Sequence, residues 1–416
     1  MSRGRASPSE APLAPSQPRK LGDTLTWLIC AYLLLIVMGF VLLGEPGVMP
    51  AGNDLSRDRA LFLAVDAATL TGFQLSLQGF APDSLQGPAV LLMLTLAGTL
   101  TSILAGGIAV VRILRLPYST RQVVSAALVW TLGTLLLGTV FLLEPGMTLS
   151  SADILACWQQ AASAFGNSGV MGKSLPAINT WPVQVVMLPM VVLGGLGLPV
   201  LMEVWDLLRR RRALSPHSRT VLVATGAIYL LGIVCFGWMQ THGGGGLRTA
   251  LAKASATAIN ARTAGFSWEF YSTAGAGMLV PLAVLMMIGA SPAGTGGGIK
   301  TTAIVQVMVG VRRGFGNQSA GRAASIAATW IGLYLLMVAG TFFGLLQTSA
   351  ASVPAGHLLF EAISAVSNVG LSHERILLVG PGLFVLCGGM IIGRLAPLLI
   401  LWWMAQTTED AELAVA

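Results

Sequence analysis

Residues 289–302 read GASPAGTGGGIKTT, a glycine-rich segment that separates two strongly apolar stretches, residues 277–288 and 303–311. The segment looks like a phosphate-binding loop but does not match one, because Ile299 precedes Lys300 where that loop requires glycine. It interrupts what would otherwise be one long apolar helix. Non-helical backbone at membrane depth is tolerated only where it is buried in protein or lines a water-filled cavity. The segment is therefore predicted to be part of a pore.

The composition indicates a membrane protein. Of the 416 residues, 54% are hydrophobic and 10% are charged, whereas soluble domains carry about 25% charged residues. The composition predicts an all-α polytopic membrane protein with little mass outside the bilayer. Residues 1–24, which are rich in Pro, Ser and Ala and have no apolar signal-peptide core, are interpreted as a disordered cytoplasmic tail. Residues 406–416 are interpreted as a cytoplasmic C-terminal tail.

The sequence lacks the patterns that would indicate an enzyme or a cofactor bound by the chain. Its four histidines have no metal-ligand spacing, and no Ser-His-Asp or H-E-x-x-H arrangement is found. The net charge of +7 could suggest a nucleic-acid partner. The basic residues follow a membrane topology instead, so no nucleic-acid partner is predicted.

One unit is repeated four times along the chain. Each unit has a long apolar stretch, a short stretch that ends in a glycine turn, and a second long apolar stretch. The four turn glycines, Gly72, Gly169, Gly265 and Gly370, are separated by 97, 96 and 105 residues, and internal repeats outrank local motifs as evidence of fold. The repeat predicts eight transmembrane helices and four re-entrant pore helices, in M1–P–M2 units around one pseudo-fourfold pore. The units are residues 25–120, 121–217, 218–321 and 322–405.

The distribution of basic residues supports the re-entrant arrangement. With the N-terminus inside, 16 of the 24 Lys and Arg residues lie on the inner side. This bias obeys the positive-inside rule only if each short helix enters the membrane and returns on the same side. If the short helices spanned the membrane, the basic turns would alternate between sides. The pattern predicts cytoplasmic N- and C-termini.

The glycine turns are candidates for ion binding. A re-entrant helix that ends in such a turn presents backbone carbonyls toward an axis, and four together can replace the hydration shell of an ion. Glycine suits the turn because it accepts backbone angles that a side chain forbids. For any single turn, an ordinary helix C-cap glycine is the alternative. The residues predicted to bind the ion through their backbone carbonyls are Leu70, Thr71, Gly72, Asn167, Ser168, Gly169, Thr263, Ala264, Gly265, Asn368, Val369 and Gly370.

The sequence resembles the TrkH/KtrB (Trk/Ktr/HKT) superfamily of cation transporters. The resemblance is carried by these turns, by the LGGLG segment at residues 193–197, by Gly393-Arg394-Leu395 and by residues 289–302. The resemblance covers about residues 25–405, and the length is similar to that of the KtrB branch. It implies four M1–P–M2 units around one pore, a homodimer, and a cytosolic nucleotide-binding regulatory ring of the TrkA/KtrA type. Glycine at all four filter positions is the pattern that the superfamily associates with potassium.

The resemblance also implies that residues 289–302 form an intramembrane gating loop. The family pattern is GGSPGSTAGGIKT, from which Ala290, Ala293, Gly294 and Gly296 depart. An arginine of the last helix lies near this loop in the family, and Arg394 matches it. No comparable break is expected in the first, second or fourth unit. The predicted gating residues are Gly294, Thr295, Gly296, Gly297, Gly298, Lys300 and Arg394.

Charged residues at membrane depth have alternative interpretations. Arg394 lies in an apolar helix, where a charge costs roughly 2.5–3.5 kcal/mol on insertion scales, which favours a gating or cation-barrier role over snorkelling. Lys300 either takes part in the gate or is one more basic residue of the inner side. Asp66, Arg262 and Glu361, on short helices near the turns, are expected to form structural ion pairs. Direct ligation of the ion is the alternative.

The sequence therefore predicts potassium uptake across a bacterial inner (plasma) membrane, through a glycine-lined filter gated by the glycine-rich loop. The first alternative is a sodium-permeable or sodium-coupled transporter on the same scaffold, so that sodium would be the transported or activating ion. A polytopic membrane enzyme would need catalytic polar groups at one membrane depth, which are missing. The intact set of four glycines argues against a sensor that does not transport.

Overall fold

The structure is a computed structural model. It describes residues 21–45, 48, 56–73, 85–143, 150–171, 175–241, 246–266, 268, 271, 274–350, 352–373, 378 and 380–407. Most of the predicted N-terminal tail and the part of the C-terminal tail after residue 407 lie outside the described residues.

The described chain is mostly helical, which confirms the expected all-α class. It has no β-strand among the described residues, although Ile288 and Ile299 form an isolated bridge. The units predicted above are used here as labels for parts of the chain. The part predicted as the first two units contains α1 (Leu21–Leu43), α2 (Arg57–Thr69), α3 (Gln86–Ile113), α4 (Thr120–Leu142), α5 (Ser151–Gly166), a π-helical turn (Pro182–Met187), α6 (Leu188–Leu196) and α7 (Leu198–Arg210). The last two contain α8 (Pro216–Thr241), α9 (Leu247–Ile259), a second π-helical turn (Asn260–Ala264), α10 (Ala276–Met287), α11 (Thr301–Phe315), α12 (Arg322–Thr348), α13 (Ala355–Val366) and α14 (Pro381–Thr407).

Several helices can cross a bilayer. By length and composition, five helices of the described chain qualify, namely α3, α4, α8, α12 and α14. The bent pair formed by residues 182–196 and α7 would be a sixth. The outer faces of α4, α8, α12 and α14 carry exposed leucine, valine, isoleucine or phenylalanine side chains, as expected of helices that contact lipid tails. The chain is a multi-pass membrane protein.

The short helices α2, α5, α9 and α13 have 13, 16, 13 and 12 residues. At 1.5 Å per residue they are roughly 18–24 Å long, less than the hydrocarbon core of about 30 Å. Each packs against a long helix of its own unit: α2 against α1 and α3, α5 against α4, α9 against α8, and α13 against α12 and α14. The C-terminal halves of α2, α5 and α13 are buried almost throughout. The short helices thus end inside the protein.

The hydrophobic core lies between neighbouring units. One cluster joins the first and fourth units, with Phe62 and Leu358 among its members. A second joins the third and fourth units through residues such as Phe236 and Tyr334. A third is centred on the second unit and includes residues of the first and third, such as Ile103. This arrangement brings the ends of the four short helices together.

The second unit has a break that the sequence analysis did not expect. Residues 182–196 and α7 meet at an angle of 104°. Gly197 joins them with a φ of +86°, a left-handed conformation that cannot continue an α-helix, and Pro199 stands in the first turn of α7, where proline is tolerated. The expectation of an unbroken helix is therefore wrong for the second unit. In the first and fourth units α3 and α14 are continuous, α14 even across Pro397.

Candidate functional site

The four turn glycines share a left-handed backbone. Their φ values are +94°, +62°, +67° and +80° for Gly72, Gly169, Gly265 and Gly370 respectively. Residues with a side chain adopt such angles at a cost, whereas glycine does so freely. The prediction that these turns need angles suited to glycine is confirmed.

The same glycines also lie against one another's backbones. A Cβ atom built on any of them would collide with a carbonyl group of another turn. The groups met would be the Ser168 carbonyl for Gly72, the Gly265 carbonyl for Gly169, the Val369 and Thr71 carbonyls for Gly265, and the Thr71 carbonyl for Gly370. Each turn therefore contacts the next in the order of the units, the fourth contacts the first, and the third also contacts the first. Glycine is required here by both space and conformation.

In three units a residue with a side chain also has a left-handed backbone, two positions before the glycine. Leu70, Asn167 and Asn368 have φ values of +58°, +53° and +50°. Asparagine tolerates this conformation, but nothing in the sequence marks Leu70. The third unit differs, because Thr263 and Ala264 continue the helix in π form and Gly265 is itself the C-cap. The ordinary C-cap alternative therefore describes Gly265 alone.

Polar side chains of the short helices fold back and hold the turns. Asp66 Oδ1 accepts hydrogen bonds from the amides of Gly72 and Phe73, both at 2.9 Å. Asn260 Oδ1 accepts from the Phe266 amide at 2.8 Å. In the second unit the hydroxyls of Ser163 and Ser168 lie 2.8 Å apart. The sequence analysis missed Asn260 and Ser163, although each precedes its turn by only a few residues.

In the fourth unit Glu361 has the same role. It accepts from the His373 amide at 3.0 Å and from the Ser372 hydroxyl at 3.2 Å. Arg262 instead donates to the Gly289 carbonyl at 3.1 Å. The expected ion pairs of Asp66, Arg262 and Glu361 are therefore wrong within the described part of the chain. Backbone groups at a non-helical turn need partners when buried, and these side chains supply them.

Replacing Asp66 tests this role. Asp66→Ala should lower the free energy of unfolding by about 3 kcal/mol, since two buried amides lose their acceptor. Asp66→Asn keeps an oxygen at the same place and should cost less than half as much. Thermal unfolding of the purified protein measures both variants. An alanine variant as stable as the wild type would show that Asp66 does not hold the turn.

The glycine-rich loop (residues 289–302) fills the break in the second unit. All of its residues are buried. The last carbonyls of a helix have no partner within it, and at the end of α6 the loop supplies one. The Thr295 amide donates to the Gly194 carbonyl at 3.1 Å, and Ser291 donates to the Gly195 carbonyl through its amide at 3.1 Å and its hydroxyl at 2.9 Å. The break in one unit and the loop of the next therefore stabilise each other.

The loop also contacts the turns. Asn167 Nδ2 donates to the Thr295 hydroxyl at 2.6 Å, and that hydroxyl lies 3.2 Å from the Phe165 carbonyl. A Cβ on Gly297 would collide with the Ser367 carbonyl. The loop is thus packed against the C-terminal ends of α5 and α13. A displacement of the loop must break contacts with the second and fourth units.

Arg394 connects the loop to the first unit. Its side chain is 4% exposed. Nη1 donates to the Thr295 carbonyl at 2.5 Å, while Nε donates to the Thr69 carbonyl at 2.7 Å and Nη2 to the Leu70 carbonyl at 3.3 Å. The guanidinium therefore holds both the end of α2 and the middle of the loop. Its contact with the loop is observed, and its role in gating stays a prediction.

Two further cations hold the loop. Lys300 is buried, and its Nζ donates to the Gly296 carbonyl at 2.8 Å. Arg262 reaches the Gly289 carbonyl, as described above. Gly294 packs against the Gly195 carbonyl, where a Cβ would lie 2.6 Å away, and Gly298 has a φ of +68°. Among the described residues, no group of three His, Cys, Asp or Glu side chains could hold a metal ion. The groups gathered at this site that can accept hydrogen bonds or coordinate a cation are thus mainly backbone carbonyls.

Comparison with known proteins gives both relatives and a fold. No family model matches the chain. The chain is 30% identical over 263 residues to "Ktr system potassium uptake protein B" of Vibrio alginolyticus, a match that covers 59% of the chain and 57% of that relative. It is 27% identical over 425 residues to the protein of the same name from Bacillus subtilis, covering 92% and 93%. The crystal structure of the potassium transporter TrkH from Vibrio parahaemolyticus matches with a TM-score of 0.73 at 17% identity, over 93% of this chain and 86% of that one.

Proposed function

Since the Ktr relatives and the shared TrkH fold support placing this chain in the TrkH/KtrB superfamily of cation transporters, we propose that it takes up potassium across a bacterial plasma membrane. The pore is lined by the four glycine turns. The observation that carries this proposal is the mutual contact of four left-handed glycines with carbonyl groups of neighbouring turns. Carbonyl oxygens in such an arrangement can replace the hydration shell of an ion.

The acidic residues near the turns support potassium over the sodium alternative. A carboxylate in the permeation path would favour sodium or a divalent ion. The carboxylate oxygens of Asp66 and Glu361 accept hydrogen bonds from turn amides and from Ser372 instead. The ion is then coordinated by neutral carbonyls. A sodium-permeable or sodium-coupled transporter on the same scaffold stays the alternative.

The proposed architecture has eight transmembrane segments. In this arrangement α6 and α7 form one segment and α10 and α11 another, so that the four units each have two long segments and one re-entrant helix. The contacts of α2, α5, α9 and α13 with long helices of their own units favour this assignment. The unit boundaries at residues 25–120, 121–217, 218–321 and 322–405 belong to the same proposal.

The glycine-rich loop is the proposed gate. It is buried against three units and held by Arg394, Lys300 and Arg262. Charges at membrane depth that face a pore repel ions of the same sign, so these cations would also form a barrier to potassium while the loop is in place. Opening requires the loop to move away from Gly106 and Gly194, which are its neighbours in the first and second units.

The proposed topology places both termini and the basic run at residues 209–212 in the cytoplasm. This follows the positive-inside rule. The relatives are named as parts of a Ktr system, which supports a second component. We propose a homodimer with a cytosolic nucleotide-binding ring of the TrkA/KtrA type.

Growth complementation tests the proposed function. Bacteria that lack their own potassium uptake systems should grow at low external potassium when they express this chain together with a cytosolic partner. Uptake of potassium and of sodium by the same cells separates the two candidate ions. Absence of rescue, with the protein present in the membrane and the partner supplied, would contradict potassium uptake. Sodium uptake without potassium uptake would favour the alternative.

A further inference from the structure

A groove lies between α4 and α7, away from the glycine turns. Its volume is about 520 Å³, within the range of roughly 300–1,000 Å³ found for small-molecule sites. Its wall includes Gln122 and Ser125 of the first turns of α4, and Trp205 and Arg210 of α7. None of its lining residues belongs to the glycine turns or the glycine-rich loop.

The groove changes from polar to apolar along α4. Gln122 and Ser125 line one end, and Val129, Gly133 and Leu137 line the rest. From residue 122 to residue 137 the helix rises about 22 Å at 1.5 Å per residue, which exceeds half of the roughly 30 Å hydrocarbon core. Val129 and Leu137 are 68% and 62% exposed, as is suitable for contact with lipid. The groove therefore starts at a polar level and continues into hydrocarbon.

The polar end carries an excess of positive charge. Arg210 and Arg212 lie 3.7 and 4.0 Å from Asp206, which also accepts a hydrogen bond from the Tyr118 hydroxyl at 3.0 Å. The acidic residues near this end are Asp206 and Glu203, and the four arginines at residues 209–212 outnumber them. Both groove arginines have more than half of their side-chain surface exposed. Their surplus charge is available to an anion.

The amphipathic helix α7 places this end at the membrane surface. Its N-terminal part, with Leu198 and Leu201, is buried in the protein. Its C-terminal part exposes 47% of Trp205 and 74% of Leu208, and the Arg209 guanidinium lies 4.4 Å from the Trp205 ring centre. Tryptophan and arginine beside exposed apolar residues are typical of a helix at the level of lipid headgroups.

We propose that this groove binds one anionic phospholipid, with its phosphate at Arg210 and Arg212 and an acyl chain along α4 over Gly133. Charge complementarity favours a phospholipid with net negative charge over a zwitterionic one, and basic pockets beside transmembrane helices bind such headgroups. The order of polar and apolar residues along α4 matches the order of headgroup and chain in the lipid. The proposal does not depend on which ion the chain transports.

Native mass spectrometry of the purified full-length protein tests the proposal, with phosphatidylglycerol and phosphatidylcholine added at equal concentration. The wild type should retain phosphatidylglycerol preferentially. In the double variant Arg210→Gln with Arg212→Gln, the ratio of retained phosphatidylglycerol to retained phosphatidylcholine should fall about tenfold, since each basic residue near the surface contributes to binding of anionic lipid. The matched control is Arg312→Gln with Arg313→Gln, which removes the same charge from exposed positions at the end of α11.

A second variant tests the acyl-chain part without changing charge. A Cβ on Gly133 meets no atom within 4 Å, so Gly133→Phe should fill the groove without disturbing α4, and retention of phosphatidylglycerol should fall severalfold. Gly340→Phe, at an equally open position on α12, should leave retention unchanged.

Equal retention of the two lipids by the wild type would overturn the proposal. So would equal losses in the two double-arginine variants, which would indicate only general surface charge, or full retention by Gly133→Phe. If a protein segment fills the groove instead of a lipid, the wild type and the Arg210→Gln with Arg212→Gln variant should retain the same amount of phosphatidylglycerol. That result would also overturn the proposal.

Discussion

Replacing Gly265 by serine should lower potassium uptake by about 100-fold while the protein still reaches the membrane. The Cβ of the new residue would collide with the Val369 carbonyl and lie 2.5 Å from the Thr71 carbonyl. Those groups would have to move out of the positions in which they would coordinate an ion. A loss of about 3 kcal/mol, typical of two weakened polar contacts plus backbone strain at a left-handed residue, corresponds to a change of roughly this size. Discrimination between potassium and sodium should fall as well.

Uptake of rubidium, as a tracer for potassium, into cells that express each variant at the same level measures this effect. The matched control is Gly332→Ser on α12, where a Cβ meets no atom within 4 Å and wild-type uptake is expected. Size-exclusion chromatography of the purified Gly265→Ser protein checks that it folds. Wild-type uptake and selectivity in a folded Gly265→Ser protein would exclude the glycine turns as the ion-selective part of the pore.

Replacing Arg394 by alanine should raise the rate of potassium uptake about tenfold and lower selectivity against sodium. The change removes a buried positive charge and the hydrogen bond to the Thr295 carbonyl, which holds the loop. A hydrogen bond from a charged group contributes about 1.5–3 kcal/mol, and about 1.4 kcal/mol corresponds to a tenfold change in an equilibrium. Selectivity should fall because the Thr69 and Leu70 carbonyls, at the end of α2, lose the same partner.

Deletion of residues 293–296 separates these two effects. The deletion removes the middle of the loop but leaves Arg394 bound to the end of α2, so it should raise uptake without lowering selectivity. Rubidium and sodium fluxes into proteoliposomes measure both quantities. Arg322→Ala, at an exposed position at the start of α12, is the control for loss of a positive charge. Unchanged uptake in both the Arg394→Ala and the deletion variants would show that the loop does not limit flux.

Features that depend on nearby residues could be predicted from the sequence. The turn glycines were identified by their spacing, and their left-handed conformation follows from the one residue type that adopts it without strain. The interruption between α10 and α11 was evident because glycine and proline are concentrated between two apolar stretches. The break at Gly197 was missed. Residues 185–202 are apolar throughout, so the glycines and the proline at residues 194–199 were interpreted as helix packing. The loop donors that stabilise the free carbonyls come from about 100 residues further along the chain.

The partners of the charged residues were the least predictable part of the site. Buried carboxylates and guanidinium groups usually pair with each other, which is why ion pairs were expected for Asp66, Arg262 and Glu361. The structure assigns them to backbone groups instead, because turns and loops leave amides and carbonyls that no helix satisfies. The backbone groups that lack partners can be identified only when the packing of the neighbouring helices is known, and the sequence does not show that packing.

The sequence by itself determined the all-α class, the positions of the four turns and the place of the glycine-rich loop, since helix length, apolar composition and glycine are properties of single segments. The tertiary structure decided that the turns contact one another in ring order, that the loop occupies the break beside Gly197, and that Arg394 holds both Thr295 and the end of α2. Arg394 and Thr69 are separated by 325 residues. Contacts at such separations depend on how whole helices pack, and no local pattern of residues encodes them.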